Sequence, residues 1–148
     1  LDIGEKITMS KKTTKIESIY SWTAGIVDGE GSVTLTHNHS GEYRSPVLSV
    51  ANTCLEILLP LQRYFGGIIC NHGRQKRNYM IAYSWKITRA DAIDVMHKLL
   101  PYIRHPKKSR RMKFIIRYYA KLTVRNGKYT KEQIRRKKQF EKEFFQLS

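Results

Sequence analysis

"WTAGIVDGEGS", Trp22–Ser32, is the stretch on which the reading turns. It is small and apolar through Gly25, Ile26 and Val27, then sets Asp28 and Glu30 among glycines. Upstream, Ile16, Ile19, Tyr20, Thr23, Ala24 and Val27 recur at three- and four-residue spacing. That spacing predicts a helix over 16–28, ended by Gly29 and Gly31. Acids at a helix C-terminus oppose its dipole. Two readings stay open: a helix end carrying solvated acids, or a carboxylate beside an accessible carbonyl, hard oxygen ligands suited to Mg²⁺.

Outward from this helix the pattern changes period. Residues 32–37 alternate, with Val33 and Leu35 on one side, which predicts a half-buried strand. Residues 46–52 read as its returning partner and 55–65 as a helix, with Pro60 predicting a kink. A second strand pair is expected at 67–72 and 79–88, around a basic turn. Helices follow at 89–100 (inner side Ala90, Ile93, Met96, His97, Leu100), at 108–122, and from a Thr130 cap through 147. The fold class is α+β, an αββαββα order with further C-terminal helices. The antiparallel sheet carries helices on one face. Its other face is left to water or a ligand, with Ser32, Thr34, Thr36, Asn38, Tyr43, Ser45 and Ser49 on it. Residues 15–148 read as one domain, and 1–14 as a mobile arm, in part a tag or upstream fusion.

The chain has 148 residues, with 28 Lys+Arg against 12 Asp+Glu and a formal net charge of +16. So basic a domain points to a polyanion, with nucleic acid first. The charge is uneven: Arg104–Lys142 holds 16 Lys+Arg and two acids, a density that suits phosphate contact. Cys54 and Cys70 make no disulfide framework, which favours a reducing compartment. No apolar run reaches the ~18 residues of a membrane span, so no membrane partner is expected. Residues 1–15 lack the apolar core of a signal peptide. The letters HNH at His37–His39 are adjacent, whereas the nuclease site of that name needs them dispersed over a ββα unit.

Thr23–Ser32, "TAGIVDGEGS", resembles the motif of the LAGLIDADG homing endonucleases, with Thr23 in place of the leading Leu. "NTCLEILLPLQRYFGG" (52–67) and "YSWKITRADA" (83–92) follow in the family's order. The resemblance implies a saddle-shaped sheet lying in the major groove of double-stranded DNA. It also implies a metal-dependent double-strand break in a long target, and typically an intron-encoded gene. One motif copy implies a homodimer and a near-palindromic site. It implies metal ligation by Glu30 and the Gly29 carbonyl, with Mg²⁺ the ion and Ca²⁺ or Mn²⁺ able to replace it in crystals. Catalytic roles fall on Glu30, Asn52 and Lys107, and the dimer interface on Ala24, Gly25 and Asp28. Asp28 is further expected to orient or cap structure. DNA contact is expected from the seven sheet residues named above and from Arg44, His72, Arg74, Gln75, Lys76, Arg77, Lys108 and Arg110. The alternatives on the same fold are an intron RNA maturase, with intron RNA as partner, and a non-catalytic DNA- or RNA-binding protein. The expected setting is intracellular: a chloroplast, a mitochondrion or a prokaryotic cytoplasm.

Overall fold

The computed structural model describes residues 3–37, 39–73 and 80–148. Its elements are α1 (Ile3–Glu30), β1 (Gly31–Thr36), β2 (Ser45–Asn52), α2 (Leu55–Phe65), β3 (Ile68–Asn71), β4 (Tyr83–Thr88), α3 (Arg89–Leu99), a 3-10 turn (Leu100–Tyr102), α4 (Pro106–Leu122) and α5 (Lys131–Gln146). The strands form one antiparallel sheet ordered β1-β2-β4-β3. This is the α+β order expected from the hydrophobic periods.

Register sorts the sheet into two faces, because residues directly opposite one another share a side. Val33 pairs with Leu48, Leu48 with Ile87, and Val50 with Trp85. All five are buried, and Ala24 and Val27 of α1, Leu58 and Leu61 of α2 and Met112 and Ile115 of α4 join them in one core. Trp85, the largest of these side chains, donates its indole N–H to the Gly66 carbonyl at 2.8 Å, so its burial leaves no polar atom unpaired. The next residue must be glycine. Gly67 has φ +82°, and a Cβ there would sit 2.5 Å from the Lys86 carbonyl.

β1 is an edge strand, and Arg111 of α4 closes part of that edge by donating to the Val33 carbonyl at 3.0 Å. The same guanidinium lies over the Phe144 ring of α5. Thr130 caps α5 as expected, in a reciprocal box with Gln133.

The backbone of 3–14 is helical and continuous with α1, and two expectations change elsewhere. Residues 5–21 contain neither glycine nor proline, so nothing stops the helix. In α3 the buried residues are Ala92, Val95, Met96 and Leu99, while Ala90 and His97 are exposed. The segment holds two overlapping apolar stripes. α3 leaves β4 without a loop, through Arg89 at φ 59°, and that departure sets which stripe meets the sheet. α2 runs unbroken through Pro60.

Candidate active site and nucleic-acid face

The motif lies where α1 turns into β1. Gly31 makes this turn possible, since a Cβ there would come within 2.7 Å of the Val27 backbone. The last carbonyls of a helix have no intrahelical donor. Here the Lys108 ammonium supplies one, donating to the carbonyls of Val27 at 2.8 Å and Asp28 at 2.7 Å. Partial burial lowers the Lys108 pKa, while the Asp28 and Glu30 charges oppose that shift. A cation at a helix C-terminus is also favoured by the dipole.

The two acids part company. Asp28 turns inward and accepts from the backbone N–H of Arg104 at 2.8 Å and of His105 at 3.0 Å. It holds the bend that launches α4. Glu30 is exposed, and its carboxylate makes no hydrogen bond or ion pair among the described residues. Among those residues no three His, Cys, Asp or Glu side chains gather as a metal-binding group. At the motif a single chain therefore offers the Glu30 carboxylate and the helix-end carbonyls that Lys108 does not take. Those are hard oxygen donors of the kind Mg²⁺ takes, and too few to enclose it.

The other expected catalytic residues are placed differently. Lys108, expected to touch DNA, is the lysine drawn to the motif, while Lys107, expected at the reaction, is exposed. One residue of helix is a 100° rotation, so only one of the pair can face α1. Asn52 closes β2 beside the motif, because Gly31 pairs with Val50 two residues earlier. Its side-chain oxygen accepts from the Cys54 N–H at 2.8 Å, a local turn into α2. Of the expected interface residues, Ala24 is fully buried within the chain, because it faces the sheet. Asp28 spends both oxygens on α4. Gly25 is exposed with open space around it. Ser18, Ser21, Trp22 and Gly29 share that exposed side of α1.

The open face of the sheet carries Ser32, Thr34 and Thr36 on β1 and Ser49 on β2. Register adds residues the sequence reading missed: Ser84, Lys86 and Thr88 on β4 and Cys70 on β3. The signal was available, since they alternate with Tyr83, Trp85 and Ile87. Small hydroxylated side chains dominate this surface, and the Thr36 hydroxyl is one of three buried side-chain polar atoms among the described residues that have no partner. Ser45, expected on this face, is buried against a cavity instead. Tyr43 and Arg44 are engaged within the chain, Tyr43 against the Tyr129 ring and Arg44 over the Phe145 ring. Arg110 donates to the Ser148 carbonyl through both Nε and Nη2. His72 shares a 2.7 Å hydrogen bond with Ser84. Asn38, Arg74, Gln75, Lys76 and Arg77 lie outside the described residues. No helix among the described residues is long and apolar enough to cross a membrane.

No protein-family model and no curated protein matches the sequence. Solved structures do. The homing endonuclease I-CvuI, in complex with its target in the presence of calcium, superposes with a TM-score of 0.65 at 17% identity, over 91% of this chain and 85% of that one. The archaeal intron-encoded homing endonuclease I-Vdi141I, complexed with DNA, gives 0.64 at 17% identity over 87% and 83%. The LAGLIDADG homing endonuclease I-GzeII, in complex with a DNA target, gives 0.60 at 14% identity, over 82% of this chain and 43% of that longer one. What is shared at such low identity is architecture, and by that measure the chain has the fold of the LAGLIDADG homing endonucleases.

Proposed function

We propose that this chain is a site-specific, divalent-metal-dependent DNA endonuclease that acts as a homodimer on a long, near-palindromic site. The observation that carries the reading is the position of Glu30. In a chain of net charge +16, one unpaired carboxylate stands at the rim of a polar open sheet face, at the end of a helix whose carbonyls are pinned. A protein that only bound DNA would gain nothing from an acid beside the phosphates.

The exposed side of α1 (Ser18, Ser21, Trp22, Gly25, Gly29) is the surface on which a second copy packs. Its small residues permit close helix approach, and the two-fold axis brings the Glu30 side chains together. Glu30 and the Gly29 carbonyl would hold a divalent ion such as Mg²⁺. Bound there, it would supply Lewis-acid chemistry and an activated water for phosphodiester hydrolysis. The chain's own residues position and screen: Lys108 holds the motif's carbonyls, Asp28 fixes the bend before α4, and the open face reads base edges. Lys107 contacts phosphate.

The test is cleavage of a plasmid pool carrying candidate insertion sites, with Mg²⁺ and then with EDTA. Metal-dependent linearisation of a defined plasmid is expected, and none by Glu30→Gln. Cutting undiminished in that variant sinks the assignment. Binding of the same duplex without cutting, in Mg²⁺ or Mn²⁺, leaves a DNA-binding protein on this fold.

A further inference from the structure

β1 and β2 are joined by a hairpin of which residues 37 and 39–44 are described, and a cavity of about 730 Å³ lies behind its returning limb, lined in part by Tyr43, Ser45, Tyr119 and Lys137. Core packing holds the strand ends, where Leu35, Pro46 and Val47 are buried, but does not fill the space behind Tyr43. The returning limb is held by further contacts, all from distant segments. The Arg44 N–H donates to a Glu141 carboxylate oxygen of α5 at 3.2 Å. The Arg44 guanidinium sits 4.8 Å from the centre of the Phe145 ring. The Tyr43 and Tyr129 ring centroids are 4.8 Å apart. Arg89 at the start of α3 holds Glu42 at 3.6 Å.

Inside the loop, Arg44 Nε donates to His37 Nε2 at 3.1 Å, so that nitrogen is the acceptor. His37 Nδ1 then carries the proton and donates to the Glu42 carbonyl at 2.7 Å. Arg44 is the hub, reaching α5 through its backbone and guanidinium and the opposite limb through His37. The α5 side of the clamp is anchored in turn. Lys137 is almost wholly buried, donates to Thr123 Oγ1 at 2.8 Å, and lies 4.4 Å from the centre of the Tyr119 ring.

We infer that α5 is a specificity element: Glu141 and Phe145, with Tyr129, are positioning residues that aim the β1–β2 hairpin at the outer base pairs of the target. The inference rests on the DNA-cleaving reading above. Its geometry is specific. Thr36 lies six residues along β1 from Glu30, about 20 Å at ~3.3 Å per residue. That is roughly six base pairs of duplex at ~3.4 Å each. Everything the clamp controls, including the exposed His39 and Ser40, lies beyond that distance.

The experiment selects a duplex from a random pool with the intact chain, then measures affinity for that duplex with each base pair changed in turn. For Phe145→Ala and for Glu141→Ala, discrimination at positions more than about six pairs from the centre falls roughly five- to tenfold. Inner positions stay within about twofold. Phe145→Tyr keeps the ring and Glu141→Gln keeps the acceptor, so both restore the outer discrimination. A uniform loss at all positions, or no loss in variants whose melting shows them folded, overturns the inference. If the intact chain selects no duplex at all, the DNA-cleaving reading falls first, which separates the two failures.

Discussion

At its inner end β1 begins on Gly31, against a helix whose Ala24 and Val27 are completely buried and whose last carbonyls are held by an ammonium. At its outer end it runs past Thr36 into a loop with a cavity behind the returning limb, held by ring contacts and single hydrogen bonds. The inner end is built on the core, where a displacement disturbs close packing. The outer end can shift at the expense of a few weak contacts. The proposed function would use that division: a group beside a scissile phosphate has little tolerance, while base reading tolerates adjustment.

The comparison breaks most sharply at Glu30. With Glu30 holding the metal as proposed, Glu30→Gln should lower the cleavage rate by roughly 10³-fold or more while leaving affinity within a few fold, since such a ligand supplies several kcal/mol at the transition state. Single-turnover cleavage beside a binding titration checks this. Next comes Gly25. Its surroundings are open, so Gly25→Ala should keep the fold and favour the helix by roughly 0.5–1 kcal/mol. Gly25→Phe should leave a folded monomer with cleavage about 10²-fold down, as a bulky ring separates the two helices of the proposed dimer. Sedimentation and melting curves distinguish these outcomes.

The lysine pair sharpens the inner end. Lys108→Met removes two charged hydrogen bonds and should cost roughly 1–3 kcal/mol of stability, along with cleavage rate. Lys107→Ala should change only salt-dependent affinity, lowering the slope of log K against log salt by about one. At the outer end, Lys137→Met replaces a buried ammonium by an apolar chain of similar shape. Burial already lowers that ammonium's pKa, so denaturant melts should show a change within about 1 kcal/mol, of either sign.

The smallest effect is the pH response of α5. Arg135 and Arg136 hold the Glu132 carboxyl at about 2, against its ordinary 4.5. A depressed carboxyl stabilises the folded state fully above about 4.5, and that contribution fades as pH falls through about 2. Glu132→Gln should flatten the part of an acid titration of α5 helicity that lies in this window.

How much of this was legible differs between the two ends. The inner end announces itself over ten residues, because helix phase, glycine placement and acid spacing are all local. Even so, Lys108 and not Lys107 reaches the motif, and no local pattern told them apart, since Pro106 starts α4 and its rotation depends on how α4 packs. Alternation in β1, with Ser49 of β2, carried part of the open face, and the same alternation in β4 went unused. It failed at Ser45, where the strand begins against the cavity and parity stops deciding exposure. The outer clamp left no trace in the sequence. Arg44 and Glu141 are 97 residues apart, and each alone reads as an ordinary surface charge.

The amino-acid sequence by itself determined the order of helices and strands, which sheet face is apolar, and the one place where acids sit at the junction of an apolar helix and glycines. Those are consequences of period, propensity and charge, which act over a few residues. Only the tertiary structure decided which acid is consumed by α4 and which stays free, which lysine holds the motif, and what supports the hairpin. Those follow from the rotation and distance of elements brought together across the chain, quantities that no local spacing encodes.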